Sequence, residues 1–179
     1  AFLAQDPQAV AVHGEGEDVL TRILEAAGGD PDVDRSRFAS IPGLSWLDDA
    51  GELVRTGPSE RIADLDRLPS PYLSGEFDHL PVTAWPQGVT FETNRGCPYG
   101  CTFCDWGSVT LSRVRKFDSA RVAAEMTWAA RRGITTWMLA DANFGIYARD
   151  VEIASCIAGL RREHGAPVDL GFTVAKNTT

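Results

Sequence analysis

Three cysteines fall on one short stretch: Cys97, Cys101 and Cys104, in the run Asn94-Arg95-Gly96-Cys97-Pro98-Tyr99-Gly100-Cys101-Thr102-Phe103-Cys104-Asp105-Trp106-Gly107. The spacing CxxxCxxC follows a strand-like run, Val89 to Asn94, so any fold must present three sulfurs on a loop at a strand's carboxyl end. Three thiolates are one short of a closed zinc site and of a fully protein-ligated iron–sulfur cluster. A cube held by three cysteines keeps one iron open to a small molecule. Pro98 fixes one φ angle and Gly100 permits close backbone approach, which suits a loop wrapped round a cube. A zinc knuckle would need a fourth ligand, and Cys156, His13 and His79 all lie in other segments. A disulfide framework is disfavoured, because four cysteines among 179 residues are few and no secretory segment is visible.

From Gly88 onward the pattern alternates strand and helix. The periodicity predicts a helix from Asp118, as N-cap, to Arg132, with Val122, Met126 and Ala129 buried and Gly133 as the stop. Thr135 to Ala140 reads as a second strand. Asp150 is expected to cap a second helix through His164, with Ile153, Cys156, Ile157 and Leu160 on its core face. Val168 to Asn177 reads as a third strand. This order predicts an α/β parallel sheet with both helices on its outer face. Side chains alternate along a strand. Thr90, Glu92 and Asn94 therefore share a polar face opposite Val89, Phe91 and Thr93. Gly171, Thr173, Ala175 and Asn177 oppose Leu170, Phe172 and Val174. The apolar faces are expected under the helices, and Glu92, Asn94, Thr173 and Asn177 are expected to line the interior.

The preceding residues read differently. Pro7 to His13 is a short buried strand, Gly14-Glu15-Gly16-Glu17 a turn, and Asp18 to Ala27 an amphipathic helix ended by Gly28-Gly29. A dinucleotide fingerprint is not present, since Val19 stands where a third glycine would be needed. Residues 31–86 are proline-rich and acidic. Leu44 to Leu47 and Glu52 to Arg55 flank Asp48-Asp49-Ala50-Gly51 as a β-hairpin.

The formal net charge of −8 argues against a general nucleic-acid surface, and no apolar run is long enough for a membrane span. Arg113-Val114-Arg115-Lys116 reads as a solvated basic loop. Hydrophobic residues make up 44% of the chain, enough for a sizeable core. Exposed thiolates favour a reducing, cytoplasmic setting.

The cysteine spacing, the preceding Arg95-Gly96-Cys97-Pro98 and the aromatic Phe103 together resemble the radical S-adenosylmethionine enzymes. Gly14-Glu15-Gly16-Glu17 after a proline resembles the end of the cobalamin-binding domain in the cobalamin-dependent members. Asp64-Leu65-Asp66-Arg67-Leu68-Pro69-Ser70-Pro71 resembles their interdomain linker, and Asp141-Ala142-Asn143-Phe144 resembles their Asp-x-Asn-Phe segment. The resemblance implies a partial (β/α) barrel preceded by the edge of a Rossmann-like cobalamin domain. The expected divisions are 1–30 for that edge, 31–86 for a linker with the hairpin, and 87–179 for the first half of the barrel. Because the chain opens at Ala1 without methionine and stops just after a strand-like run, a fragment is expected.

The same resemblance implies the chemistry. Cys97, Cys101 and Cys104 would hold a 4Fe–4S cluster whose open iron chelates S-adenosylmethionine. Reduction then yields methionine and a 5′-deoxyadenosyl radical, with the cofactors carrying the hard chemistry. Phe103 would pack near the adenine, Asp141 and Asn143 would receive the methionyl ammonium, and Glu92 and Asn177 would line the site. Trp106 would shield the cluster. Cobalamin is implied with most of its site outside this chain, and the motif for its lower axial histidine is absent from these residues. A flavodoxin- or ferredoxin-type electron donor is implied, with no nucleic-acid or membrane partner. Methylation of an unactivated centre is the implied reaction. Radical cyclisation or rearrangement, methylthio transfer, and a non-enzymatic zinc or iron–sulfur module are the alternatives. Replacing Cys156 by alanine separates the last from the rest: iron content after anaerobic reconstitution should be unchanged, whereas a closed four-ligand site would lose its metal.

Overall fold

The structure is a computed structural model that describes residues 2–85, 88–104 and 112–175. It divides into two compact units, Ala1–Ala63 and Asp64–Thr179.

The first unit begins with a short helix, α1 (Phe2–Gln5), and a short strand, β1 (Ala11–Val12). The helix α2 (Glu17–Ala27) follows, and Gly28 ends it in the left-handed conformation. Strands β2 (Leu44–Leu47) and β3 (Leu53–Arg55) form the expected hairpin, closed where Leu47 faces Leu53. β1 pairs antiparallel with β2, so the hairpin and the Pro7–His13 segment belong to one three-stranded sheet. Val19, Phe38, Ile41, Leu44 and Trp46 form the core of this unit. Within the Gly-Glu-Gly-Glu turn, Gly14 takes a φ of +87° and Glu15 accepts a 2.8 Å hydrogen bond from the Ile62 amide. The turn thereby ties the start of the unit to its end.

The second unit contains β4 (Val89–Phe91), β5 (Asn94–Arg95), β6 (Arg115–Lys116), α3 (Ser119–Arg131), β7 (Thr136–Phe144), α4 (Ala148–His164) and β8 (Asp169–Val174). β4, β7 and β8 form a parallel sheet in that spatial order, and β5 pairs antiparallel with β6. The expected α/β class is observed, and among the described residues the sheet does not close. In the β4–β7 register, Val89 faces Trp137 and Phe91 faces Leu139. These four side chains are buried, whereas Thr90 and Met138 on the opposite face are exposed. The alternation thus sorts the two faces as the sequence requires.

α3 packs on α4 and β4, burying Val122, Met126, Ala129 and Ala130. Asp118 caps it, accepting from the amides of Ala120 and Arg121. Asp150 does not cap α4, as the sequence had suggested. Tyr147 is the N-cap, and the Asp150 carboxylate reaches back one turn to accept from the amides of Gly145 (2.9 Å) and Tyr147 (3.0 Å). These bonds hold the turn that leads into the helix, and the Asp150 amide donates to the Tyr147 carbonyl at 2.9 Å. Cys156 is half-buried on α4, lining a cavity of about 140 Å³ with Val122, Met126 and Ile153. Burial pushes its thiol pKa up, which makes it a poor thiolate ligand.

Residues 64–85 are folded onto this unit. Tyr72 donates to the Thr90 carbonyl at 2.6 Å, and Arg121 donates to the Leu68 carbonyl at 2.6 Å. Tyr72 also packs against Phe91 and Trp128 in tilted contacts, with ring centroids 5.5 and 5.1 Å apart. No described helix is long and apolar enough to cross a membrane.

Gly88 sits where β4 begins with φ +83°, and a Cβ there would stand 2.0 Å from the Thr136 carbonyl oxygen. Only glycine permits the two strands to meet at that point. Gly88→Ala should therefore cost at least about 2 kcal/mol of stability in a denaturant titration.

Candidate active site

The cysteine loop leaves the carboxyl end of the sheet through a structured base. β4 stops at Phe91 because the next donors turn away from the ladder to a side chain. Asp141, near the end of β7, accepts from the Thr93 amide (2.7 Å), from the Asn94 amide (3.1 Å) and from the Thr93 hydroxyl. The Asn94 side-chain amide donates to the Thr93 hydroxyl at 3.2 Å. Thr93, Asn94 and Asp141 are all buried. Burial of two consecutive residues ends the strand alternation, so Asn94 turns into protein and does not continue the face of Thr90 and Glu92.

β5 and β6 close the loop, with Asn94 opposite Lys116 and Arg95 opposite Arg115. Arg115-Lys116 is thus strand, correcting the reading of that stretch as a solvated loop. Two bonds continue the closure above the ladder: Ser112 N–H to the Cys97 carbonyl (2.8 Å) and Cys97 N–H to the Ser112 hydroxyl (3.2 Å). Gly96 makes the approach possible, because a Cβ on it would lie 2.8 Å from the Arg113 carbonyl oxygen. Beyond the loop, Arg149 at the start of α4 donates to the Phe117 carbonyl at 2.7 Å. The Lys116 ammonium lies 3.5 Å above the Tyr147 ring.

Cys97, Cys101 and Cys104 are free thiols, each half-buried. Among the described residues no three His, Cys, Asp or Glu side chains are gathered at metal-binding spacing. The donor chemistry nonetheless fits an iron–sulfur cluster: three unpaired sulfurs lie on one loop anchored at its base, and one already accepts a hydrogen bond. That bond comes from Asn143, whose Nδ2 stands 3.1 Å from Cys97 Sγ.

The other predicted residues take varied positions. Phe103 is 74% exposed on the loop. Glu92 forms a two-pronged ion pair with Arg95, at 2.9 and 2.7 Å. Asp141, suggested by the sequence as an ammonium ligand, is 1% exposed, and its carboxylate accepts from Thr93 and Asn94 and so holds the loop's first leg. Thr173 is exposed on β8. Asn177 and Trp106 lie outside the described residues. Sequence reasoning missed Ser112 and placed Thr93 only as packing. Ser112 belongs to no recognisable pattern, since its partner is a backbone amide fifteen residues away.

No family model matches the chain. It is 42% identical over 175 residues to the cobalamin-dependent radical SAM methyltransferase TokK of Streptomyces tokunonensis, a match covering 94% of this chain and 25% of TokK. It is 41% identical over 183 residues to the 2-(S-pantetheinyl)-carbapenam-3-carboxylate methyltransferase of Streptantibioticus cattleyicolor, covering 99% of this chain and 26% of that protein. Its fold is similar to that of OxsB, a cobalamin-dependent S-adenosylmethionine radical enzyme solved with aqua-cobalamin and S-adenosylmethionine bound. The TM-score is 0.62 at 21% identity, over 94% of this chain and 23% of OxsB. The chain spans about a quarter of the length of these curated relatives. It belongs to the cobalamin-dependent radical S-adenosylmethionine enzymes.

Burial, the largest influence, raises the Asp141 carboxyl pKa above its ordinary 3.8, against the pull of the Thr93 hydroxyl and the amides of Asn94 and Thr93; Asp150 adds to the rise. A raised value means the folded state holds the proton more tightly. The stabilisation from this group is therefore complete below the unfolded value and falls as pH climbs through the folded one. Denaturant midpoints across this range should show the unaltered protein losing stability relative to Asp141→Asn as pH rises from 3.8. Asp141→Ala, which strands buried donors, should cost about 2–4 kcal/mol at low pH, where the carboxyl's contribution is complete, and less as pH rises.

Proposed function

We propose that this chain supplies the cluster-binding half of a radical S-adenosylmethionine partial barrel in a cobalamin-dependent methyltransferase. The observation that carries the reading is the placement of three unpaired thiols on one anchored loop at the carboxyl end of a parallel sheet. Crevices at that end are where open α/β sheets bind ligands. Identity above 40% to two methyltransferases across nearly the whole chain supports methylation over other radical reactions.

In this reading Cys97, Cys101 and Cys104 hold a 4Fe–4S cluster, which when bound supplies the electron for reductive cleavage of S-adenosylmethionine. The protein's own residues place and protect it. The Asp141–Thr93–Asn94 contacts and the β5–β6 ladder fix the base of the loop. Phe103 offers an exposed aromatic face for the adenine. Glu92, held by Arg95, presents a carboxylate on the open face of the sheet beside Thr90. Asn143, on β7, completes the polar lining, and Asn177, outside the described residues, is assigned to it by the family resemblance alone. The barrel, the cobalamin site and an electron donor of flavodoxin or ferredoxin type belong to the same proposal. A small carboxylated molecule of the pantetheinyl-carbapenam class is the first substrate to test, because one relative is named for it.

The test uses the full-length protein, reconstituted anaerobically with iron, sulfide and cobalamin and then reduced. Mass spectrometry should find both 5′-deoxyadenosine and S-adenosylhomocysteine. Deoxyadenosine alone would point to radical cyclisation or rearrangement, and the absence of both products would contradict the reading.

A further inference from the structure

The Asp-Ala-Asn-Phe segment of β7 acts on the cysteine loop itself. Asp141 and Asn143 are two residues apart and both buried, at 1% and 5% exposure. Asp141 takes the backbone three to four residues before Cys97, and Asn143 donates to the Cys97 sulfur at 3.1 Å. We propose that Asn143 is a redox-positioning residue, whose side-chain amide donates to the Cys97 thiolate and raises the reduction potential of the cluster. The proposal rests on the cluster reading above.

Three observations carry it. The first is the contact: the side-chain amide is a donor, and a thiolate offers only acceptor capacity, so the pair matches in the cluster-bound state. The second is rigidity. Asn143 lies where the β7–β8 register shifts between Leu139 and Phe144. Pairing resumes at once, with Phe144 opposite Val174 and the Ala175 amide bonded to the Phe144 carbonyl at 3.0 Å. Irregularities of this kind re-aim a side chain at the end of a strand. Buried and held on both sides, Asn143 cannot swing to solvent. The third is the setting. Asn143 is 5% exposed although Cys97 is only half-buried, and a donor sheltered from water acts more strongly on sulfur than one in water.

The sign follows from charge. Reduction adds one electron to a cluster whose sulfurs already carry negative charge. A donor bonded to one of those sulfurs stabilises the more negative, reduced form more than the oxidised one, so the potential rises. The shift is the difference in bond strength between the two forms, taken as about a tenfold change in the reduction equilibrium and so no more than a charged hydrogen bond is worth in all. For a one-electron couple, tenfold corresponds to ~59 mV.

The experiment compares the full-length protein with Asn143→Leu, which keeps the branched shape and removes the donor. Both are reconstituted and titrated with redox dyes in the absence of S-adenosylmethionine, with the reduced cluster followed by electron paramagnetic resonance. Leaving the cosubstrate out separates this role from any contact Asn143 makes with its ammonium. At equal cluster content the variant should titrate ~59 mV lower, about tenfold in the reduction equilibrium. An unchanged or higher potential would overturn the proposal. If the variant assembles no cluster, the unaltered protein labelled with 15N in its asparagine side chains decides. A 15N coupling to the reduced cluster in pulsed resonance supports the bond, and its absence overturns it. No cluster signal in the unaltered protein would instead remove the proposed function, a separate readout.

Discussion

The carboxylate of Asp141 is the contact on which the end of the sheet depends. It receives two backbone amides and a hydroxyl at the point where β4 gives up its ladder with β7. Without it, the Thr93 and Asn94 donors would be buried with no partner, at a cost comparable to a large share of a domain's net stability. With it, β4 can stop early and the chain can turn into β5. The cysteine loop then rises from a base fixed by side chain, ladder and the paired Cys97–Ser112 bonds. One buried charge thus converts strand pairing, a long-range constraint, into loop placement, a local one.

Much of this unit was legible in the sequence. The helix faces followed from spacing: Val122, Met126 and Ala129 on α3, and Ile153, Ile157 and Leu160 on α4, are buried as the period requires. The faces of β4 followed from alternation, with Val89 and Phe91 inward and Thr90 outward, whereas on β8 Phe172 and Val174, expected under the helices, are exposed. The cap at Asp118 was visible because an aspartate immediately preceded an apolar period.

What was not legible depended on partners distant in sequence. β7 runs to Phe144, beyond the Ala140 boundary that composition suggested, because aspartate and asparagine read locally as turn residues. Here the cysteine loop satisfies both, which lets the strand continue. β5 and β6 have two residues each, too short for any pattern, and exist only because they pair with each other. Asp150 looked like a cap by type, but Tyr147 starts the helix and Asp150 bonds back to it. Asp64 to Pro71 resembled an interdomain linker, yet the Leu68 carbonyl accepts from Arg121 on α3, and Tyr72 just beyond bonds to β4.

The central claim is that the three loop thiolates hold a 4Fe–4S cluster with one iron left open. Mössbauer spectroscopy of the 57Fe-reconstituted full-length protein, with and without S-adenosylmethionine, tests it most directly. The account predicts a cluster in which one iron of the four changes its signal when S-adenosylmethionine is added, while the three cysteine-ligated irons do not. A cluster whose spectrum is indifferent to S-adenosylmethionine, or a site that takes up zinc in place of iron, would contradict it.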